Sequence, residues 1–268
     1  MVAERLDQVA RQNYAIDTVS DSFLVIGHRG AAGLAPEHTR PSFERALALA
    51  VDMIELDVQL TRDHQLVVMH DRELGRTATA SGPVREWSLA ELKRLDTGAW
   101  FGEEFRGEGV LTLEEVFEVL GGRVPLNVEI KSPEPDWEAT ARQLAAVLTR
   151  AGQLAATVVS SFEMGALAAV RAEMPAVQVG VLWQSLDLNL ARDWMSRLNA
   201  TSFHPFCGLV SEDVVRSAHQ RGRRVYTWTV NDDYEIARVA AAGVDGIISD
   251  FPDRVLALRR AVETGRSA

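Results

Sequence analysis

Histidines, carboxylates and two cations recur in this chain at the ends of short apolar runs. His28-Arg29-Gly30 follows residues 23–26, Glu55-Leu56-Asp57 lies within 53–58, His70-Asp71 closes 66–69, and Glu129-Ile130-Lys131 closes 124–128. On a strand, Glu55 and Asp57 project from one face while Ile54, Leu56 and Val58 face the other way. Two carboxylates aimed into a protein interior repel each other and lose hydration, which costs several kcal/mol unless positive charge lies between them. One divalent cation meets that need. Glu129, near the end of the next parallel strand, supplies a third oxygen, and an all-oxygen set favours Mg2+ or Ca2+ over zinc. The competing account is a structural ion-pair network in which these acids meet Arg29 and Lys131.

His28 and His70 add two imidazoles to the same set. An exchange on a phosphodiester uses such a pair, one ring taking a proton from the attacking hydroxyl and the other giving a proton to the leaving alcohol. Arg29 and Lys131 lie beside these residues, where cations hold phosphate oxygens and stabilise the charge that grows in the transition state. Glu37 reads as solvated or capping, Thr39 as a helix cap, and His38, His64, His204 and His219 as ordinary core or surface histidines.

Such a set acts together only if the fold gathers it. The chain has 268 residues, of which 47% are hydrophobic and 25% charged, an ordinary globular composition. That length suits one α/β barrel of roughly 250 residues, so residues 1–268 are expected to form a single domain. Strand patterns at 23–26, 53–58, 124–130, 157–161, 177–182, 201–204, 224–229 and 246–249 alternate with helical patterns at 41–50, 136–150, 163–173, 188–195, 211–221, 232–242 and 252–262. Strands separated by helical returns predict a closed (β/α)8 TIM barrel rather than an open doubly wound sheet. Ser211 and Asn231 read as helix N-caps, and Gly152, Gly222 and Gly243 as helix stops.

The rhythm breaks once. Between the second strand and residue 124 there is no simple helix; 66–70 instead follows 59–61 across a turn. If Asp63-His64 is a two-residue hairpin turn, His70 stands opposite Asp57. Residues 72–110 then form an insertion with a short helix at 89–95 after Ser88, the length of a functional lid or small subdomain. Residues 1–20 are expected to be a helix covering the closed end of the barrel.

A formal net charge of −10 argues against a nucleic-acid partner. The single cysteine, Cys207, cannot form an intrachain disulfide and reads as a buried or half-buried thiol in a reducing compartment. No signal-peptide run and no membrane-spanning apolar run stand out, so the expectation is a cytoplasmic protein without a stable membrane anchor.

Taken in order, His28-Arg29-Gly30, Pro36-Glu37-His38-Thr39, Glu55-Leu56-Asp57-Val58, His70-Asp71, Asn127-Val128-Glu129-Ile130-Lys131 and Trp228-Thr229-Val230-Asn231 resemble the glycerophosphodiester phosphodiesterase family. The resemblance runs from residue 24 to about 260, and residues 72–110 are similar to that family's insertion. It implies a barrel fold and a metal-dependent cleavage of small glycerophosphodiesters to sn-glycerol 3-phosphate and an alcohol. Glu55, Asp57 and Glu129 would bind one Mg2+ or Ca2+, His28 and His70 would act as base and acid in an order left open, and Arg29 and Lys131 would hold phosphate. The glycerol 2-hydroxyl would attack phosphorus, and water would open the cyclic phosphate. Phe162, Trp183, Phe203 and Trp228 are candidates for an apolar wall at the mouth, Trp228 foremost. His38 replaces the family's usual Asn, and His64 its hairpin Gly. Two other readings compete: a lysophospholipase-D- or phosphoinositide-phospholipase-like activity on lipids, and a non-catalytic barrel that binds a metabolite.

Overall fold

Every residue of Met53–Leu60 is buried. Ile54, Leu56 and Val58 pack in the main core, and Glu55, Asp57 and Gln59 alternate with them on the opposite face. Burial on both faces is what a parallel strand ringed by helices requires. The structure, a computed structural model, describes residues 23–265, and the helix expected over 1–20 lies outside them. In chain order the elements are β1 (Leu24–His28), α1 (Arg40–Leu49), β2 (Met53–Leu60), β3 (Leu66–Val68), β4 (Glu73–Leu74), β5 (Gly82–Pro83), α2 (Leu89–Leu92), α3 (Leu113–Leu120), β6 (Leu126–Ile130), α4 (Trp137–Ala151), β7 (Thr157–Ser161), α5 (Met164–Glu173), β8 (Gln178–Trp183), α6 (Leu188–Arg197), β9 (Ser202–Pro205), α7 (Glu212–His219), β10 (Arg224–Thr227), α8 (Asp233–Ala241), β11 (Gly246–Ser249) and α9 (Pro252–Gly265).

β1, β2 and β6 to β11 pair in parallel, and β1 closes the ring by pairing with both β2 and β11. The expected (β/α)8 barrel therefore forms. Its interior is filled in layers. Ile26, Met53, Val158, Tyr226 and Ile248 make an apolar floor. The registers His28 with Glu55 and Asp57 with Glu129 place the polar residues above that floor, toward the C-terminal ends of the strands. The main core lies between barrel and helices. On α1, Pro41 fits the first turn, Ala50 closes the helix in a left-handed cap, and Phe43 is fully buried. Phe43→Ala is expected to destabilise the protein by about 3–5 kcal/mol through lost burial and a residual cavity. A lower urea midpoint at unchanged slope would show it.

Three local expectations change. A return helix does precede β6: α3 carries buried Leu113, Val116, Val119 and Leu120, and Thr112 with Glu115 forms a reciprocal capping box. The hairpin loop has three residues, not two. Val58 pairs with Val68 and Leu60 with Leu66, Thr61 N–H donates to Gln65 O (3.0 Å), and His64 takes the left-handed conformation (φ 57°) that such loops place last. Met69, not His70, consequently stands opposite Asp57, its N–H on Asp57 O at 3.0 Å. The N-cap of α8 is Asp232, which accepts from Tyr234 N and Glu235 N, and Asn231 turns to Asp250 instead.

Within residues 72–110, β4 and β5 pair antiparallel, and Ser88 caps α2 in a second capping box. Leu74, Val84, Leu92 and Val110 bury a small separate cluster against Val67 and Met69. Among the described residues, no helix is long and apolar enough to cross a membrane.

Candidate active site

Asp57 lies on the inner face of β2, 1% exposed. Both its carboxylate oxygens are buried without a hydrogen-bond partner, although Arg29 Nε stands 3.4 Å and Lys131 Nζ 3.5 Å away. One oxygen each from Glu55, Asp57 and Glu129 lie within 4.8 Å of one another. Burial opposes the Asp57 charge, yet Lys131, His38 and Arg29 hold its pKa well below the usual carboxylate range. Burial and the Asp57 charge push Glu129 up to about 8 and Glu55 well above its ordinary value. The two cations cannot keep all three acids ionised. Closely spaced oxygens from three acids, both of those on Asp57 without a hydrogen-bond partner, are a donor set that could hold a hard divalent cation.

The imidazoles are each oriented by a carboxylate. His28 Nδ1 lies 2.6 Å from Asp250 Oδ1, and His70 Nδ1 lies 2.6 Å from Asp71 Oδ1. Burial opposes ionisation of both aspartates, but their partners hold both below the ordinary range: His28 and Asn231 for Asp250, Arg76 and His70 for Asp71. Each ring therefore donates from Nδ1, which leaves Nε2 as the nitrogen for proton transfer. His28 Nε2 is 3.8 Å from Glu55. Burial, aided by Lys131 and Arg29, lowers the His70 pKa against the pull of Asp57.

His70 reaches the site although the hairpin register is one residue from that expected. Gln59, two residues beyond Asp57 on β2, donates its amide to the carbonyls of Met69 (2.9 Å), His70 (3.3 Å) and Asp71 (2.8 Å). Arg29 sits just past β1 in a left-handed conformation (φ 50°), its N–H on Glu55 (3.2 Å) and its guanidinium on Glu37 (2.9 Å). Lys131 follows β6, 2.6 Å from Glu129. Burial works against both cations, but Asp57 and its neighbouring acids hold the pKa of each above its ordinary value.

These groups converge on a cavity of about 210 Å³ that His28, Arg29, Glu55, His70, Glu129, Lys131 and Trp228 help to line. Phe162 and Trp228 meet edge-to-face on its wall, centroids 5.2 Å apart. Phe203 does not join them, because it is buried in the core beneath the helices, and Trp183 turns its indole N–H to Ser185 O. A second space of about 660 Å³, lined by residues 71–76 and Glu163, shares His70, Glu129, Lys131 and Phe162 with the first.

Several residues take part differently from their sequence reading. His38 is no bland core residue: its Nε2 accepts from Asp57 N–H (3.2 Å), and burial keeps the ring's pKa low. Glu37 is neither solvated nor a cap but a 9% exposed carboxylate between Arg29 and Arg76. Thr39 is the N-cap of α1 without a side-chain capping bond; its hydroxyl donates to Pro36 O. Asp250 ends a strand as the other site residues do, and Gln59 extends the alternation of Glu55 and Asp57, so strand-end position and period two were the usable signals.

A parallel barrel with imidazoles, acids and cations gathered at the C-terminal ends of its strands has the layout of a barrel enzyme for an anionic substrate. Residues 28–254 match the model of the glycerophosphoryl diester phosphodiesterase family. A glycerophosphodiester phosphodiesterase from Caldanaerobacter subterraneus subsp. tengcongensis is 38% identical over 240 residues, spanning 88% of this chain and 98% of that protein. A phosphodiesterase from Oleispira antarctica, solved with the product sn-glycerol-3-phosphate, superposes with a TM-score of 0.83 at 30% identity, covering 87% of this chain and 95% of that one. A glycerophosphodiester phosphodiesterase from Agrobacterium tumefaciens gives 0.76 at 27% identity, covering 87% and 98%. The chain belongs to the glycerophosphoryl diester phosphodiesterase family and is an enzyme of that class.

Proposed function

We propose that this site hydrolyses small glycerophosphodiesters to sn-glycerol 3-phosphate and an alcohol, with one divalent ion, Mg2+ or Ca2+, held by Glu55, Asp57 and Glu129. The observation that carries the reading is the convergence of two carboxylate-oriented imidazoles on one acid-and-cation cluster. Bound there, the ion would neutralise the acids and polarise a phosphoryl oxygen. Charge supports the fit: with all three acids, both cations and a divalent ion counted, the cluster carries a single positive charge, the complement of a phosphodiester monoanion. The product-bound relative from Oleispira antarctica supports the substrate class.

Arg29 and Lys131 grip the phosphate, and Trp228 with Phe162 walls the glycerol. One histidine Nε2 takes the proton of the glycerol 2-hydroxyl as its oxygen attacks phosphorus. The other protonates the departing alcohol oxygen, and water opens the resulting cyclic phosphate in the reverse sense. Residues 72–110 act as an insertion whose first residues wall the larger space, so the head group is selected there. Release of sn-glycerol 3-phosphate from glycerophosphocholine or glycerophosphoethanolamine tests this function. Activity is expected to disappear after exhaustive EDTA treatment and return with Mg2+ or Ca2+; full activity in EDTA would remove the metal from the reading.

A further inference from the structure

Arg76 lies outside the barrel repeat, yet its guanidinium joins the two sides of the site. Nη1 and Nη2 donate to the two oxygens of Glu37 at 2.8 and 2.7 Å, and Nε donates to Asp71 Oδ2 at 2.6 Å. Each carboxylate has a second partner within the machinery. Glu37 accepts from Arg29 Nη1 at 2.9 Å, and the other oxygen of Asp71 holds His70 Nδ1 at 2.6 Å. A continuous path of charge-assisted contacts thus runs from His70 through Asp71, Arg76 and Glu37 to Arg29.

Each contact has a physical consequence. Glu37 is nearly buried, and an acid there draws on the Arg29 charge unless a second cation shares it. The Arg76 fork supplies that cation, which leaves Arg29 free to attract a phosphate. Asp71 fixes the His70 ring only if its own carboxylate cannot swing, and Nε of Arg76 pins the oxygen that His70 does not use. A planar fork can satisfy three oxygens on two carboxylates; an ammonium on a flexible stem cannot hold the same geometry.

We infer that Arg76 is a positioning residue for both His70 and Arg29, and that the segment 72–110 takes part in the reaction by carrying it. The inference rests on the roles proposed above for those two residues. Arg76→Ala and Arg76→Lys are both expected to lower kcat/KM by roughly 10–100-fold, the range seen when residues that orient active groups are removed. The loss should divide between kcat, through His70, and KM, through Arg29. Methylguanidinium is expected to restore part of the Arg76→Ala rate. In kcat, an Arg76→Ala/Asp71→Ala double variant should lose no more than the worse single variant, since on that parameter both act through His70. The side chain is 44% exposed, so folding should survive, and an unchanged thermal midpoint checks this. If Arg76→Ala fails to fold, Arg76→Lys carries the same test. Parent-like kinetics of Arg76→Lys, or fully additive kcat losses in the double variant, would overturn the inference. His70→Ala separates the levels: if it is inactive while Arg76→Ala is normal, only this inference falls, whereas a fully active His70→Ala overturns the proposed function as well.

Discussion

His28→Ala and His70→Ala are each expected to reduce turnover by about 10²-fold or more, the ordinary worth of a placed acid–base group. The measurement is release of sn-glycerol 3-phosphate at saturating substrate and metal. The expectation follows from shared geometry: an ionised aspartate holds each Nδ1 at 2.6 Å, leaving Nε2 for proton transfer. Asp250→Asn should also slow the enzyme, because an amide can present N–H to Nδ1 and reverse the His28 tautomer. A near-parental rate in either alanine variant would remove that histidine from the chemistry.

Glu129→Gln should have opposite effects on function and on stability. Turnover is expected to fall sharply, since one of the three anionic ligands proposed for the metal becomes a neutral amide. In EDTA above about pH 8, however, the variant should be more stable than its parent, because Glu129 is then ionised in the parent and absent as a charge in the variant. Replacing buried charged groups by uncharged ones of similar volume is often neutral or stabilising, with gains of about 1–4 kcal/mol, or roughly 2–4 °C of thermal midpoint per kcal/mol in a protein somewhat smaller than this one. The pH dependence has a definite sign. Glu129 is raised in the fold from 4.5 to about 8, so its contribution to metal-free stability is present below the lower value and lost as pH climbs through the higher. The variant should flatten that decline. A lower midpoint in EDTA above about pH 8 would show that charge conflict is not what the metal relieves.

Much of this was legible in the residues, and the exceptions share a cause. Strands Thr157–Ser161 and Gly246–Ser249 have the bounds their patterns predict, because β-branched runs between turn residues leave little choice. The acids of β2 were readable because a period of two fixes their face. His70 was placed near Asp57 by the wrong register: the loop borrows a left-handed His64, which pairwise counting cannot reveal. Asp250, Glu37 and Arg76 stayed hidden because their partners lie 222, 8 and 39 positions away, and no local period reports a contact across a barrel mouth. The α3 helix does carry a local signal, the capping box of Thr112 and Glu115.

The grip of Gln59 on three successive carbonyls has an engineering consequence. Because that amide belongs to β2, the backbone that carries His70 is moored to the barrel and does not depend on the rest of the excursion that follows. A graft could therefore exchange residues 77–110, none of which lines either space, while 59 and 69–76, which hold His70 and wall the larger space, stay as they are. The boundary between what may vary and what must be kept runs just after Arg76.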